Sequence, residues 1–103
     1  MKVYRIGTRL GDHGVQEELD VDLRTLQEIV EGYIEPIPSS VCPIPDVVIL
    51  ANEEGMLLGL PINQNLIPFF FVGQCVAVGC DGEDFVSLND DQIDGLVKWI
   101  NNL

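Results

Sequence analysis

The sequence predicts an α+β fold in one domain over residues 1–103, with a single, mainly antiparallel sheet of five or six short strands and two helices packed on one face. Three observations support this prediction. Short apolar runs are separated by clusters of glycine, proline, asparagine and aspartate. Two other segments, one in the first third of the chain and one at its C-terminal end, repeat apolar residues at helical spacing. With 103 residues, 47% of them hydrophobic, the chain can bury a core without disulfides or metal.

Two extended segments are predicted at the start of the chain. Residues 2–10 mix apolar and basic side chains as a first strand, and residues 11–14, GDHG, form a turn. Residues 15–21 then continue as a second extended segment, with Val15, Glu17, Leu19 and Val21 at every other position. If the two segments pair, Arg5 and Arg9 have carboxylates nearby.

A short helix follows. Asp22 is placed to cap its first turn, and Gly32 is placed to end it in a left-handed conformation. Residues 33–37 are extended, and the prolines at 36 and 38 favour an edge position in the sheet. Residues 38–46 contain three prolines and are interpreted as a connecting loop, with a binding loop as the alternative.

The middle of the chain contains the strongest strand signals. Residues 47–61, VVILANEEGMLLGLP, are interpreted as a β-hairpin in which Asn52–Gly55 reverses the chain between two apolar strands. Residues 69–78 form the most apolar run and predict the central strand, covered on both faces. Gly73 inside this run predicts a bulge or the close approach of a helix. A turn at 81–82 leads into a last short strand at 85–88.

The second helix has the clearest boundaries. Asn89 is its predicted N-cap, and Gln92 completes a capping box. The apolar stripe consists of Ile93, Leu96, Val97 and Ile100. Trp99 lies outside the stripe and either covers an edge of the sheet or anchors a partner.

Composition suggests where the protein works. No apolar run approaches the roughly 18 residues that a membrane span needs, and the first residues lack the apolar region of a secretory signal. The three cysteines form no C-x-x-C pair, which is typical of reduced thiols, and Cys75 and Cys80 are interpreted as buried and inert. We therefore expect a soluble protein of the cytoplasm.

Charge is the most unusual property of the chain. Seventeen acidic residues against five Lys and Arg give a net charge of −12, and the twelve acidic residues between Thr25 and Val97 have no Lys or Arg among them. Such a field repels nucleic acid and anionic lipid and attracts basic partners.

Catalytic and metal-binding motifs are missing from the sequence. His13 is the only histidine, the glycines form no phosphate-binding loop, and neither serine context resembles a nucleophile elbow. The DGED sequence at 81–84 lacks the twelve-position spacing of a calcium loop. We therefore expect no enzyme activity, no cofactor and no metal site.

Three blocks of sequence resemble a known family. They are LQEIVEGYIE at 26–35, ANEEGMLLGLPIN at 51–63 and FVGQCVAVGCDGEDFVSLNDDQI at 71–93, and together they resemble the small bacterial and phage family called domain of unknown function 3846. The resemblance implies a protein of phages, plasmids or integrated elements, without an assigned activity or catalytic residues. Met56 and Gln64 stand where the family usually has basic residues, so no role that depends on those charges carries over.

Three functional hypotheses remain. In the first, exposed carboxylates imitate the backbone of duplex DNA, which carries one charge per roughly 1.7 Å, and occupy the basic channel of a nucleic-acid-handling host defence enzyme. The candidate partner-binding residues are Glu53, Glu54, Asp81, Glu83, Asp84, Asp90, Asp91 and Asp94. In the second, the charges only keep the domain soluble. In the third, the protein binds a nucleotide signal beside residues 69–71, with Arg5, Arg9 and Arg24 as phosphate contacts.

Overall fold

The computed structural model describes residues 1–18, 20 and 22–103 of the chain. In these residues six strands and two α-helices follow one another, with a 3₁₀ helix between the fourth and fifth strands. The elements are β1 (Lys2–Ile6), β2 (His13–Glu17), α1 (Leu23–Val30), β3 (Ile34–Pro36), β4 (Val47–Asn52), the 3₁₀ helix (Gln64–Phe69), β5 (Cys75–Asp81), β6 (Asp84–Val86) and α2 (Asp90–Asn101). Leu19 and Val21, which the sequence assigns to the second extended segment, lie outside the described residues.

All six strands belong to one antiparallel sheet in the order β2-β1-β5-β4-β3, and β6 pairs with β5 beside β1. Ala77 of β5 lies opposite Tyr4 of β1 on one side and Ile49 of β4 on the other. The α+β class and the single antiparallel sheet are therefore confirmed. The central position of β5 and the edge position of β3 are confirmed as well.

The two helices lie on opposite faces of this sheet, so the prediction that both pack on one face is wrong. Cys75 and Ala77 of β5 are buried in a core that contains Leu96 and Ile100 of α2. The alternate residues, Val76 and Val78, are buried in a second core that contains Leu26, Ile29 and Val30 of α1. Because β5 is apolar on both sides, each of its faces needs its own cover.

Local signals set the helix ends. Asp22 Oδ1 accepts a hydrogen bond of 2.8 Å from the backbone N–H of Thr25, which confirms the N-cap of α1. Glu31, with φ of 63°, makes the left-handed C-cap instead of Gly32. Gly32 is required for a different reason, because a Cβ there would lie 2.5 Å from the side-chain nitrogen of Asn52. Asn89 and Gln92 form both bonds of the predicted capping box of α2.

The predicted hairpin over residues 47–61 is wrong in its second half. β4 continues to Asn52, and the chain then folds into consecutive turns, with the Leu58 N–H donating to the Glu54 carbonyl at 2.9 Å. The reason is that β4 already has β5 on one edge and β3 on the other. No edge of β4 remains for a hairpin partner, and the apolar residues 56–58 are left exposed.

The predicted central strand begins six residues later than the apolar run. Phe69 ends the 3₁₀ helix, and Phe70 and Gly73 have φ of 57° and 79°, which interrupts an extended chain before β5. Gly73 approaches a loop side chain and not a helix, since a Cβ there would lie 2.8 Å from Leu60 Cδ1. The last strand, β6, is also shorter than predicted and ends at Val86.

Two buried asparagines hold the segment before β5 against β1. Asn63 Nδ2 donates to the carbonyls of Ile6 and Gly73, both at 3.0 Å. Asn65 Nδ2 donates to the carbonyls of Gly7 and Arg9 at 2.8 and 2.9 Å. These amides satisfy backbone groups at the end of β1 that the sheet ladder leaves free.

Replacing Asn63 by alanine tests this role. We expect Asn63→Ala to lower the free energy of unfolding by about 2–4 kcal/mol, because two buried carbonyls lose their donor. Urea denaturation followed by circular dichroism measures the change. The exposed Asn101 is the matched control, and Asn101→Ala should stay within about 0.5 kcal/mol of the wild type. Equal stability of the two variants would contradict the assignment.

Candidate functional site

An open apolar groove of about 280 Å³ lies where β3, the loop after β4 and the segment before β5 meet. We call it the β3 groove, and it is lined by residues 35–38, 51–57 and 70–72. Its floor includes Ile37 and Ala51, which belong to the core on the α2 side of the sheet. The groove therefore opens on the same face as α2.

The groove exists because α2 covers only part of this face. Trp99 of α2 packs on Phe69 with ring centroids 6.1 Å apart, and Phe69 stacks on Phe71 at 5.8 Å. Phe71 in turn lines the groove. Phe71 thus forms part of one wall, and no α-helix in the described part of the chain contributes to the groove lining. Trp99 is partly buried against this core, where it packs on the 3₁₀ helix and not on an edge of the sheet.

Three large apolar side chains project into solvent around the groove. Met56, Leu57 and Phe70 are 83%, 88% and 73% exposed. The turns after β4 carry Met56 and Leu57 outward, and the left-handed backbone of Phe70 does the same for its ring. The positive φ of Phe70 is that of the left-handed C-cap that ends the 3₁₀ helix. Clustered exposed apolar residues in a polar surround mark interaction surfaces.

The charged residues of the groove are all acidic. Glu35, Glu53 and Glu54 contribute to its lining. Within the part of the chain that the structure describes, no Lys or Arg lines it. Glu53 and Glu54 were candidate partner-binding residues, whereas Glu35, Met56, Leu57 and Phe70 were missed. The signal that could have found the apolar residues is the run of residues 56–58 between Gly55 and Gly59, because glycines on both sides favour turns over a strand.

The other predicted acidic residues lie at the opposite end of the sheet. Leu50 pairs with Val76, and Val47 pairs with Gly79. By this register the C-terminal end of β4 lies beside residue 74, and the β5–β6 turn begins seven residues later along β5. Seven strand residues span roughly 23 Å. The carboxylates of the β5–β6 turn therefore lie far from Glu53 and Glu54.

The start of α2 is joined to that far end. Gln92 Nε2 donates to the carbonyl of Asp46 at 3.3 Å, and the Asp46 carbonyl also accepts from the Cys80 N–H at 2.8 Å. We call this region the acidic end, and it contains Asp46, Asp81, Glu83, Asp84, Asp90 and Asp91, all exposed. Asp94 follows one turn later on α2. The eight candidate residues thus form two groups and not one continuous surface.

The three candidate phosphate-binding arginines are separated and partly neutralised. Arg5 Nη2 lies 2.7 Å from Asp12 Oδ1, so its carboxylate partner comes from the turn before β2 and not, as predicted, from the second extended segment. Arg24 Nε lies 3.5 Å from Glu28 Oε1 on the exposed side of α1. Arg9 is exposed in the β1–β2 turn. Arg5 shares the α1 face of the sheet with Val3, while residues 69 and 71 pack on the α2 face. The structure does not bring the arginines and this phenylalanine run together.

The ion pair with Arg5 also changes the pKa of the Asp12 carboxyl. The hydrogen bond from Arg5 lowers the pKa of the Asp12 carboxyl below its ordinary value, and the charges of Arg5 and Arg9 add to this effect. A carboxyl whose pKa is lower in the folded state stabilises the fold above its unfolded pKa of about 4. This contribution disappears as the pH falls through the folded-state pKa.

The pH dependence of stability therefore tests the Arg5–Asp12 pair. We expect Asp12→Asn to melt at a lower temperature than the wild type at pH 7, where the pair is intact. The difference should shrink as the pH falls below about 4, where Asp12 of the wild type becomes protonated. Thermal denaturation between pH 2 and pH 7 measures both curves, since this range brackets the usual pKa values of carboxyl groups. A difference that stays constant across this range would show that the ion pair is not its source.

Burial separates the cysteines. Cys75 is buried in β5, and desolvation raises the pKa of its thiol to about 12. Burial also raises the pKa of the half-buried Cys42. Cys80 is only partly buried, as Cys42 is, so the prediction that it is buried is wrong. The physical reason is that Cys80 lies next to the β5–β6 turn, beyond the strand residues that α1 covers.

Alkylation should distinguish these thiols. We expect iodoacetamide at pH 8, which needs the thiolate, to leave Cys75 unmodified in the folded protein and to modify it in urea. Peptide mass spectrometry measures modification at each cysteine. Fast labelling of Cys75 without denaturant would contradict its position inside the core.

The fold and the groove together define a small antiparallel α+β protein with an apolar, acid-rimmed surface on one face. The chain belongs to the family described as Domain of unknown function (DUF3846), whose sequence pattern matches residues 1–101. Comparisons with curated proteins and with solved structures found no match. In the described residues no helix is long and apolar enough to span a membrane, and no three His, Cys, Asp or Glu side chains are grouped to hold a metal ion. The exposed surface of the protein is therefore the feature that indicates its function.

Proposed function

We propose that this chain is a non-enzymatic acidic accessory protein of the cytoplasm that acts by binding another protein at the β3 groove. One observation carries the proposal: Met56, Leu57 and Phe70 are exposed and line the same groove, together with three carboxylates. Exposure of apolar side chains of this size to water is unfavourable in free energy. A partner that covers them gains about 25 cal/mol per Å² of buried apolar area.

The chemistry of the groove favours a protein partner over a nucleotide. Its volume of about 280 Å³ is slightly below the range of about 300–1,000 Å³ typical of small-molecule pockets. Glu35, Glu53 and Glu54 would repel a phosphate. The arginines of the nucleotide hypothesis lie elsewhere, and Arg5 and Arg24 are already paired. The nucleotide alternative therefore has the weaker support.

The charge of the chain defines the partner further. A net charge of −12 attracts a basic surface and accelerates association with it. The acidic end adds exposed carboxylates roughly 23 Å from the groove, so one extended basic partner could contact both regions. A basic nucleic-acid channel of a host enzyme has this character, and we propose it as the class of target for a protein of phage or mobile-element type.

The hypothesis that the charges serve only solubility explains less. Carboxylates alone need no partner, since a charged surface keeps a small domain soluble. A solubilising role does not account for Leu57 at 88% exposure or for Phe70 at 73% exposure. These apolar features distinguish a binding surface from a merely soluble one.

Capture with matched variants tests the proposal. The wild type, Leu57→Ser and Leu10→Ser are immobilised and exposed to lysate of an organism that carries the gene. Leu10 is the control because it is 77% exposed in the β1–β2 turn and outside the groove lining. We expect Leu57→Ser to lose about tenfold in affinity for a captured protein, as loss of an apolar anchor worth about 1.4 kcal/mol implies. Leu10→Ser should capture that protein normally.

A second pair of variants separates the two acidic groups. Glu53→Gln with Glu54→Gln removes charge at the groove, and Asp81→Asn with Asp84→Asn removes the same charge at the acidic end. We expect the first pair to weaken capture more strongly and the second to reduce mainly the dependence on salt. Quantitative mass spectrometry of the eluates measures both effects. Capture that Leu57→Ser and the first pair leave unchanged would reject the groove as the binding surface.

A further inference from the structure

The edge of the β3 groove offers little to an incoming peptide backbone. The Glu53 N–H donates to the Tyr33 carbonyl at 2.8 Å, and the Ile37 N–H donates to the Ile49 carbonyl at 2.8 Å. The backbone polar groups of the odd-numbered residues in this segment therefore point toward β4. Those of Ile34 and Pro36 point away from β4, toward solvent. Because proline has no N–H, β3 presents a single outward amide donor. Strand addition along this edge would form few hydrogen bonds.

Some of the polar groups in the groove lining are already bonded within the protein. Asn52 is buried, its Nδ2 donates to the Val30 carbonyl at 3.0 Å, and its Oδ1 accepts from the Glu54 N–H at 2.8 Å. The Gly55 N–H donates to the Asn52 carbonyl at 3.3 Å. Because β3 offers few donors to an added strand, a segment that satisfies its own backbone, as an α-helix does, fits this groove better.

The side chains around the groove define the surface of such a helix. Met56 has a flexible apolar side chain and Leu57 a branched one. A methionine can adapt to apolar side chains of different shape on a partner. Glu35, Glu53 and Glu54 complement lysines or arginines that flank apolar anchors. From these contacts we propose that the groove takes a short amphipathic helix of a partner protein, with apolar anchors at helical spacing and Lys or Arg beside them. This inference rests on the proposed function and names the structural class of its partner.

Two synthetic peptides of identical composition test this assignment. Both contain only leucine and lysine; in one the leucines recur at i, i+3, i+4 and i+7, and in the other leucine and lysine alternate. The first can present one apolar helical face, and the second one apolar strand face. Fluorescence anisotropy at physiological salt gives the two affinities, and amide chemical shifts of the ¹⁵N-labelled wild type give the location of binding.

We expect the helical peptide to bind at least about tenfold more tightly than the alternating one. Its shifts should centre on Gly55, Met56, Leu57 and Phe70. Leu57→Ser should weaken binding by about tenfold, while Leu10→Ser should stay within about twofold. Leu57 is so exposed that its replacement leaves the core unchanged, and the shift mapping needs no variant.

Several results would overturn the helix assignment. These are equal or tighter binding of the alternating peptide, shifts confined to the acidic end, or absence of shifts with both peptides. The capture experiment keeps this failure separate from failure of the proposed function. Capture that depends on Leu57 without binding of the helical peptide would reject the helix and retain protein binding at the groove. Capture that ignores Leu57 would reject the groove itself.

Discussion

Burial of β5 on both faces is the constraint on which the rest of this structure depends. Its residues alternate between two cores, with Cys75 and Ala77 on the side of α2 and Val76 and Val78 on the side of α1. A strand buried in this way needs hydrogen-bonding neighbours on both edges and cover on both faces. The sheet order and the opposite placement of the helices follow from that requirement, and together they leave the surface beside β3 without a helix.

The groove is thus a consequence of how the sheet is covered. α2 spans twelve residues and reaches the aromatic row of Trp99, Phe69 and Phe71, and β3 lies beyond that row. β3 itself is three residues long and contains Pro36, which protects the edge of the sheet from pairing with another strand. This edge does not readily pair with a further strand, and exposed apolar side chains lie beside it. Such a surface suits a partner that makes contact through side chains and forms its backbone hydrogen bonds internally. Phe70 lines the groove and is exposed at the same surface.

Charge and apolar surface have different roles in this arrangement. The acidic end and the groove rim lie at opposite ends of the sheet, so the net charge of −12 surrounds much of the molecule and is not concentrated on one face. A distributed field acts over a Debye length of about 8 Å at physiological salt and brings basic proteins to the surface without selecting among them. Selection requires short-range contacts, which the apolar groove can supply. The Arg5–Asp12 pair and the Arg24–Glu28 pair further reduce the few positive charges available to an anionic ligand.

The sequence by itself determined the features that depend on neighbouring residues. Asp22 and Asn89 cap their helices, β5 is the apolar centre of an antiparallel sheet, and Pro36 marks an edge, because capping, strand patterning and proline geometry are local effects. Only the tertiary structure decided which apolar residues are buried. Residues 56–58 and 75–78 are both apolar runs, but β4 had no free edge for the first, so Met56 and Leu57 became surface while the second became core. The same long-range pairing divided the carboxylates between two ends of the sheet, since the position of Glu53 relative to Asp81 depends on the register of β4 against β5.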